Sequence, residues 1–256
     1  MRKQSLSHED FLELKTYAQS LSYASIKKKV DVAKKRISKF CSGNKSAYAW
    51  SGGKDSLGLQ ICCEEAGVSD CVMAITDVEY PEFLQWVTVN MPDGLTVMNS
   101  GVNIEYLLKH PEMLFPQNAT NAAKWFKAVQ HKVQNKYFKE KKLDYIILGR
   151  RLEDGNYIGK DGRYWYTSKD VTRLSPIYDW THIDIFTAIY HYKKEEPPFY
   201  SWSRGYRCGT HSWPARQWCQ GVDDGWREVY EIDPTIVHFS AKYFKSARRF
   251  LKKCAV

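Results

Sequence analysis

Ala47-Tyr48-Ala49-Trp50 runs directly into Ser51-Gly52-Gly53-Lys54-Asp55-Ser56, and a helical stretch continues from Ser56 to Ala66. A short apolar run, a glycine pair and a helical pattern, in that order, predict a strand, a turn and a helix. The turn has what a polyphosphate requires. Glycines let backbone N–H groups approach the oxygens, hydroxyls stand at both ends, Lys54 brings charge, and the helix aims its positive end at the same spot. A Walker A loop would need a glycine four residues before Gly-Lys-Ser/Thr, and here aspartate follows the lysine, so a P-loop NTPase is excluded.

Working outward, Cys71–Thr76 reads as a second buried strand, Pro81–Met91 as a helix with proline near its first turn, and Leu95–Met98 as a third strand. A long helix is expected over Ala119–Lys142, the clearest buried strand over Asp144–Gly149, and a last strand over Arg173–Ile177. Strands alternating with helices make a parallel sheet. The expected fold is therefore α/β and Rossmann-like, with five parallel strands and helices on both faces. Gly155–Lys169, with Gly159 and Gly162, reads as a flexible excursion over the site. Thr181 is placed to cap a helix from His182 to Lys194 with Asp184 at its third position, and Pro197-Pro198 stops it. Tyr200–Trp226 is aromatic-rich and irregular. The domain reading is a basic helical extension over 1–45, a nucleotide-binding α/β domain over 46–226 and a basic helical tail over 227–256, in which Phe239–Lys253 forms one helix.

The 256 residues are 43% hydrophobic and 14% aromatic, a folded-protein composition large enough for one substantial α/β core. No run of about 18 apolar residues exists to span a bilayer. Met1-Arg2-Lys3-Gln4-Ser5 leads into a charged amphipathic segment and not an apolar signal core, so a soluble, cytoplasmic protein with no membrane partner is expected. Seven cysteines, an odd count at irregular spacing, are expected to be reduced thiols. The net charge of +9 favours polyanionic partners.

Ser51–Ser56 matches at every position the Ser-Gly-Gly-Lys-Asp-Ser pattern of the PP-loop motif, and the chain resembles the ATP pyrophosphatase superfamily that carries it. Three further stretches narrow the resemblance to the phosphoadenosine phosphosulfate reductase family and its non-reducing relatives. Gly149-Arg150-Arg151-x-Glu153-Asp154 resembles the family's Gly-x-Arg-Arg-x-Glu turn, where arginine forks suit phosphate or sulfate oxygens. Leu174-Ser175-Pro176-Ile177-x-Asp179-Trp180-Thr181-x-x-Asp184-Ile185-Phe186 is similar to its Pro-Leu-x-x-Trp-x-x-x-Asp-Val-Trp segment. Pro198-Phe199-Tyr200, Arg204-Gly205-Tyr206 and Gly209-Thr210-His211-x-x-x-x-Arg216-x-Trp218 resemble the stretch that closes the nucleotide site. Asp77-Val78-Glu79-Tyr80-Pro81-Glu82 sits where the family has Asp-Thr-Gly-x-x-Phe-Pro-Glu, but it is shorter and lacks the glycine, so Asp77 reads either as a ribose or adenine contact or as a strand-end turn residue.

The resemblance spans roughly Ala47–Trp218 and implies a HUP-type fold with an adenine nucleotide, ATP or phosphoadenosine phosphosulfate, as substrate. It assigns nucleotide binding to Ser51, Gly52, Gly53, Lys54, Asp55, Ser56, Asp77, Gly149, Arg150 and Arg216, and catalysis to Lys54, Asp55, Arg150, Arg151, Cys208 and His211. Asp55 is expected to orient the loop or a metal-bound water, with Mg²⁺ as the candidate ion.

Sulfonucleotide reduction in this family uses a cysteine thiolate in a Glu-Cys-Gly-x-His motif on a C-terminal tail, later resolved by a thioredoxin-type reductant. Arg207-Cys208-Gly209-Thr210-His211 copies that motif superficially but overlaps the earlier Gly-Thr-His segment, while Cys254 lies in the tail beside Lys252-Lys253 with no Gly-x-His. Cys208 thus reads as a redox or sulfur-carrying nucleophile or as a packed thiol, and Cys62 and Cys63 as core. No Cys-x-x-Cys exists, so an iron-sulfur cluster is not expected. Cys208, His211 and Cys219 have an unusual spacing for zinc, and no metal ligands are assigned.

Lys27–Lys29, Lys34–Arg36 and the set Lys242, Lys245, Arg248, Arg249, Lys252 and Lys253 read as solvated faces or, interleaved with Trp125, Trp202, Trp213 and Trp218, as a nucleic-acid surface. Two enzymatic readings remain open. One is a phosphoadenosine phosphosulfate reductase-like enzyme that cleaves at the phosphate or sulfate chain, with a thioredoxin-type reductant. The other is an AMP-forming ATP pyrophosphatase that adenylates an acceptor for sulfur or amino-group transfer, with a sulfur donor and nucleic acid as possible partners. A non-catalytic nucleotide or nucleic-acid binding module is a third. A homodimer is compatible with each.

Overall fold

The protein is represented by a computed structural model that describes residues 6–168 and 170–254, so the segment Met1-Arg2-Lys3-Gln4-Ser5 read above lies outside the described residues. In chain order the elements are α1 (His8–Ser20), α2 (Tyr23–Cys41), β1 (Ser46–Ala49), α3 (Lys54–Glu65), β2 (Cys71–Ile75), α4 (Pro81–Asn90), β3 (Leu95–Asn99), α5 (Ile104–Lys109) and α6 (Ala119–Phe126). They continue as α7 (Lys132–Lys141), β4 (Tyr145–Ile147), β5 (Trp165–Ser168), β6 (Val171–Leu174), α8 (His182–His191), α9 (Gly205–Cys208), α10 (Val222–Ile232), α11 (Pro234–Ser240) and α12 (Lys245–Cys254).

The fold is α/β, with one mostly parallel sheet in the order β3-β2-β1-β4-β6-β5. β1 runs parallel to β2 and β4, and β4 parallel to β6. The sheet has six strands where five were expected. The addition is β5, antiparallel to β6, with Trp165 facing Leu174 and Ser168 facing Val171. It comes from the segment read as an excursion. Trp165-Tyr166-Thr167-Ser168 carries the β-branched and aromatic residues that suit a pleated surface, and a hairpin partner needs no crossover helix, so alternation of strands and helices does not announce it.

Two long helical spans differ in outcome. The long helix expected over Ala119–Lys142 runs unbroken from Ala119 to Lys141, with a π turn at Lys127–His131 joining α6 to α7. The expected helix over Phe239–Lys253 is interrupted between α11 and α12, and Phe244 in the break packs its ring 5.9 Å from Trp226.

The chain forms two compact units. The first comprises Met1–Met73, Val87–Val97 and Gln134–Pro197. Here α2 turns Ile26, Val30, Ala33, Ile37 and Cys41 inward at helical spacing. Ser7 caps α1 by accepting from Asp10 N at 3.0 Å, and the Asp10 carboxylate accepts from Ser7 N in return. Thr181 and Asp184 make the same reciprocal box on α8, as their spacing predicts. Phe11 of α1 meets His182 of α8 edge-on at 4.9 Å. The central strands bury Ala47, Tyr48, Ile146 and Ile147, as strands of a parallel sheet covered on both faces do.

The second unit comprises Ala74–Trp86, Met98–Val133 and Pro198–Val256. Its core is aromatic. Trp226 is fully buried, lies edge-on to Phe115 at 5.0 Å, and tilts against Trp213 at 5.6 Å. Gly225 makes this packing possible, because a Cβ there would sit 2.4 Å from the Phe115 ring. Ala247 and Phe250 anchor α12 from one side, and Asp223 pairs with Arg249 and Lys253 on the other. No helix among the described residues is long and apolar enough to cross a membrane.

Candidate functional site

In the first unit, β1 ends at Ala49 and the chain turns through Gly52, whose φ of +72° is a conformation that disfavours side chains. Gly53 then caps α3 in extended backbone without a side-chain hydrogen bond. First-turn amides of a helix have no intrahelical acceptor and carry the positive end of its dipole. Ser56 Oγ donates to Gly53 O at 2.8 Å and accepts from Ser51 N at 3.2 Å, so the two ends of the loop are tied together. Gly149 closes the floor. A Cβ there would stand 2.9 Å from the Asp55 carbonyl oxygen, so only glycine lets the strand end lie against the loop. Loop and strand end thus adjoin at the carboxyl edge of the sheet, where α/β folds bind ligands.

Lys54 is buried at 1% exposure, and its ammonium lies 2.8 and 2.9 Å from the two Asp55 oxygens. Arg151 Nε stands 2.9 Å from Asp55 Oδ1. The same guanidinium pairs with Glu153 and Asp154, each at 2.9 Å, donates to Trp180 O at 3.1 Å and meets His182 Nδ1 at 2.9 Å. Burial works against this charge, yet Asp55, Asp154 and Glu153 hold the Arg151 pKa above the ordinary arginine value. Arg151 therefore ties the loop to β4 and α8. Arg150, its neighbour, is half-buried and donates to the neutral Tyr166 hydroxyl at 2.6 Å. The two arginines that the sequence pairs as one anion clamp have separate surroundings.

In the second unit, Asp77 is exposed at the end of β2, with Asn99 Nδ2 donating to it. Glu79 is the buried acid. It accepts from Thr76 N at 2.7 Å, Thr76 Oγ1 at 2.8 Å and Ser212 Oγ at 2.9 Å, and pairs with His211 Nδ1 at 2.6 Å. Burial raises the Glu79 pKa, but the His211 charge and these hydrogen bonds bring it below the ordinary carboxylate value. The His211 ring stacks on Phe83 at 4.6 Å. Arg216 is buried, donates through Nε to Glu228 at 2.7 Å and through Nη2 to Ser203 O at 2.7 Å. Arg204 donates to both Glu228 oxygens at 2.8 Å. Burial opposes the Arg216 charge, and Cys208, Tyr80 and Glu228 overcome it to raise that pKa.

Glu79 and Glu228 were not singled out by sequence reasoning. Each had a signal: Glu79 stands between apolar Val78 and Tyr80 at a strand end, and Glu228 shares the inward face of α10 with Gly225 and Val229. An acid inside an apolar pattern is a buried acid with partners.

Cys208 is half-buried and Cys254 exposed, while Cys41, Cys62, Cys63, Cys71 and Cys219 are buried. Burial pushes the Cys71 thiol up to about 11 and the Cys219 thiol to about 12. The Cys208, His211 and Cys219 set does not converge. Among the described residues the converging set is Cys219, Asp224 and Glu228. Glu228 is held there by two guanidinium groups, which repel a cation. Asp55 does not fit Mg²⁺ in this arrangement either, since Lys54 and Arg151 already occupy its oxygens.

No family model matches this sequence, and no curated protein matches it. Among solved structures the chain is similar to a crystal structure of phosphoadenylyl-sulfate reductase from Candida auris in a phosphate complex, at 16% identity and a TM-score of 0.49, over 75% of this chain and 90% of that one. It is also similar to FMN adenylyltransferase from Candida glabrata in complex with FMN and an ATP analogue, at 14% identity and a TM-score of 0.39, over 74% of this chain and 67% of that one. At such identities function is argued from the site's own residues and not from the neighbour.

Proposed function

We propose that the protein is an enzyme that binds an adenine nucleotide at Ser51–Ser56 and cleaves its phosphate or sulfate chain, as a phosphoadenosine phosphosulfate reductase-like protein. The observation that carries this reading is the turn at Gly52, which feeds an uncapped helix start backed by the Lys54–Asp55–Arg151 cluster. Main-chain amides and the helix end grip the anionic oxygens. Asp55 is neutralised from behind, so its charge does not repel the ligand, and an incoming polyanion competes with it for the Lys54 ammonium. Arg150 meets the distal phosphate or sulfate. Within the second unit, Glu79 holds His211 and Glu228 holds Arg216.

Under this reading the Cys208 thiolate attacks the sulfate sulfur and the S–O bond breaks, its electron pair leaving with the nucleotide phosphate. A dithiol of the thioredoxin type then displaces sulfite from Cys208 and becomes a disulfide. One observation favours the AMP-forming ATP pyrophosphatase instead. Cys254 ends a helix anchored by Ala247 and Phe250, beside Lys252-Lys253, and is not part of the Glu-Cys-Gly-x-His motif that reductases use.

Two assays separate these readings. Purified protein is given ATP and Mg²⁺ and scored for pyrophosphate, then phosphoadenosine phosphosulfate and a dithiol and scored for sulfite. Sulfite lost in Cys208→Ser supports the reductase, and sulfite unchanged in that variant removes Cys208 from the chemistry. Pyrophosphate without sulfite establishes the second reading. A fully active Lys54→Ala enzyme would contradict the loop assignment.

A further inference from the structure

Most arginines of the described chain end on carboxylates. Arg36 pairs with Asp179, Arg151 with Asp55, Arg204 and Arg216 with Glu228, Arg227 with Asp224 and Arg249 with Asp223. Arg150, Arg163, Arg173, Arg207 and Arg248 have no such partner among the described residues, and of these Arg150 and Arg173 flank one ring. Their guanidinium carbons lie 6.0 and 5.8 Å from the Tyr166 centroid. Arg150 donates to the Tyr166 hydroxyl and Arg173 to Ser168 O, each at 2.6 Å, and both acceptors are neutral. Register makes the cluster: Tyr166 on β5 stands directly across from Arg173 on β6, while Phe138 of α7 holds Arg173 at 5.5 Å from its ring. Burial lowers the Arg173 pKa, Tyr166 offsets part of that, and the nearby Arg150 charge lowers it again.

An aromatic platform stands beside the charges. Tyr157 meets Tyr166 at 5.0 Å and 63° and is 54% exposed, a large ring offered to solvent. The basic helix α2 is differently placed: Lys27, Lys29, Lys34 and Arg36 are paired with Asp31, Asp184, Glu65 and Asp179. Lys242 also lies 5.7 Å from the exposed Phe239 ring, but as a single ammonium group, whereas the β5–β6 hairpin sets guanidinium groups about its rings.

We infer that Arg173, Tyr166 and Tyr157, at the edge of the site that Arg150 serves, form a binding surface for single-stranded nucleic acid, the Arg173 guanidinium taking a phosphodiester oxygen and Tyr157 stacking on an unpaired base. Planar forks match phosphate oxygens, and a base face needs an exposed ring. A duplex hides its base faces, and an acidic peptide has no use for Tyr157. The surface does not depend on which reaction the loop performs.

The test is fluorescence anisotropy with a labelled single-stranded oligonucleotide of about ten nucleotides, its duplex, and polyglutamate as competitor, across a salt series. The single strand binds best. Tyr157→Ser, an exposed change that leaves the fold intact, weakens it about 5- to 100-fold. Arg173→Gln weakens it too and makes the slope of log affinity against log salt shallower by about one. Calorimetric ATP affinity of Tyr157→Ser stays at the parent value, which separates this surface from the loop. Equal single-strand affinity in Tyr157→Ser and the parent overturns the inference. So does a duplex or polyglutamate that binds as well as the single strand, or a parallel loss of ATP affinity in Tyr157→Ser.

Discussion

Arg151 Nε lies 2.9 Å from Asp55 Oδ1, joining the turn after β4 to the first turn of α3. The arginine side chain is wholly buried, and three carboxylates share it. Removing it leaves those acids facing one another. Arg151→Leu is expected to cost about 3–5 kcal/mol of stability, read from urea midpoints, because breaking a buried ion pair strands its partners. Arg150→Gln removes a hydrogen bond to a phenol and is expected to change stability by less than about 1.5 kcal/mol. Its larger effect falls on ATP or phosphoadenosine phosphosulfate affinity, about tenfold by calorimetry, at one charge-assisted contact. Equal stability losses in the two variants would refute the division of labour between these arginines.

Gly149→Ala places a methyl group 2.9 Å from the Asp55 carbonyl oxygen, closer than a Cβ normally stands. Backbone cannot swing aside as a flexible side chain can, so the loop must shift. The expected outcome is a loss of about 1–3 kcal/mol in stability together with weaker adenylate binding. Differential scanning fluorimetry with and without ATP reads both: the apparent Tm falls, and the upward shift produced by ATP shrinks.

Glu79 has a folded-state pKa below its ordinary value despite its burial. A depressed carboxyl contributes stability that is full above its unfolded pKa and is lost as pH falls through the lowered folded value. Stability is thus expected to drop below about pH 4, the ordinary glutamate range. Glu79→Gln keeps the shape but loses the charge that His211 Nδ1 faces. This variant should be less stable at neutral pH and show a flatter acid limb in a series of thermal melts. A variant with an unchanged acid limb would place the titrating group elsewhere.

The thiols divide by burial. Iodoacetamide at neutral pH is expected to label Cys208 and Cys254 in the native protein, with the other five cysteines reacting only after denaturation. Peptide mass mapping gives the answer directly. Rapid native labelling at Cys62 or Cys63 would contradict the packing of α3.

Much of this architecture was legible beforehand because local signals and global burial agree. Ala47–Trp50 followed by glycines, and Thr181 three residues before Asp184, carry their own geometry in residue type and spacing. The strand β5 was not legible, since Trp165–Ser168 follows two glycines and its partner is the next strand, a pairing that the alternation of a parallel fold does not signal. The split of the C-terminal helix was hidden as well, because Phe244 leaves helical spacing to fill space beside Trp226.

The sequence by itself determined where an anion-gripping turn stands and which residues surround it, because backbone freedom at Gly52 and Gly53 and a helix start are local properties. Only the tertiary structure decided how the charges are matched. Arg150 and Arg151 are adjacent and chemically identical, yet one meets a phenol and the other three carboxylates. Coulomb energy depends on distance and burial and not on position along the chain, so the partner that folding brings within reach settles what each arginine can do.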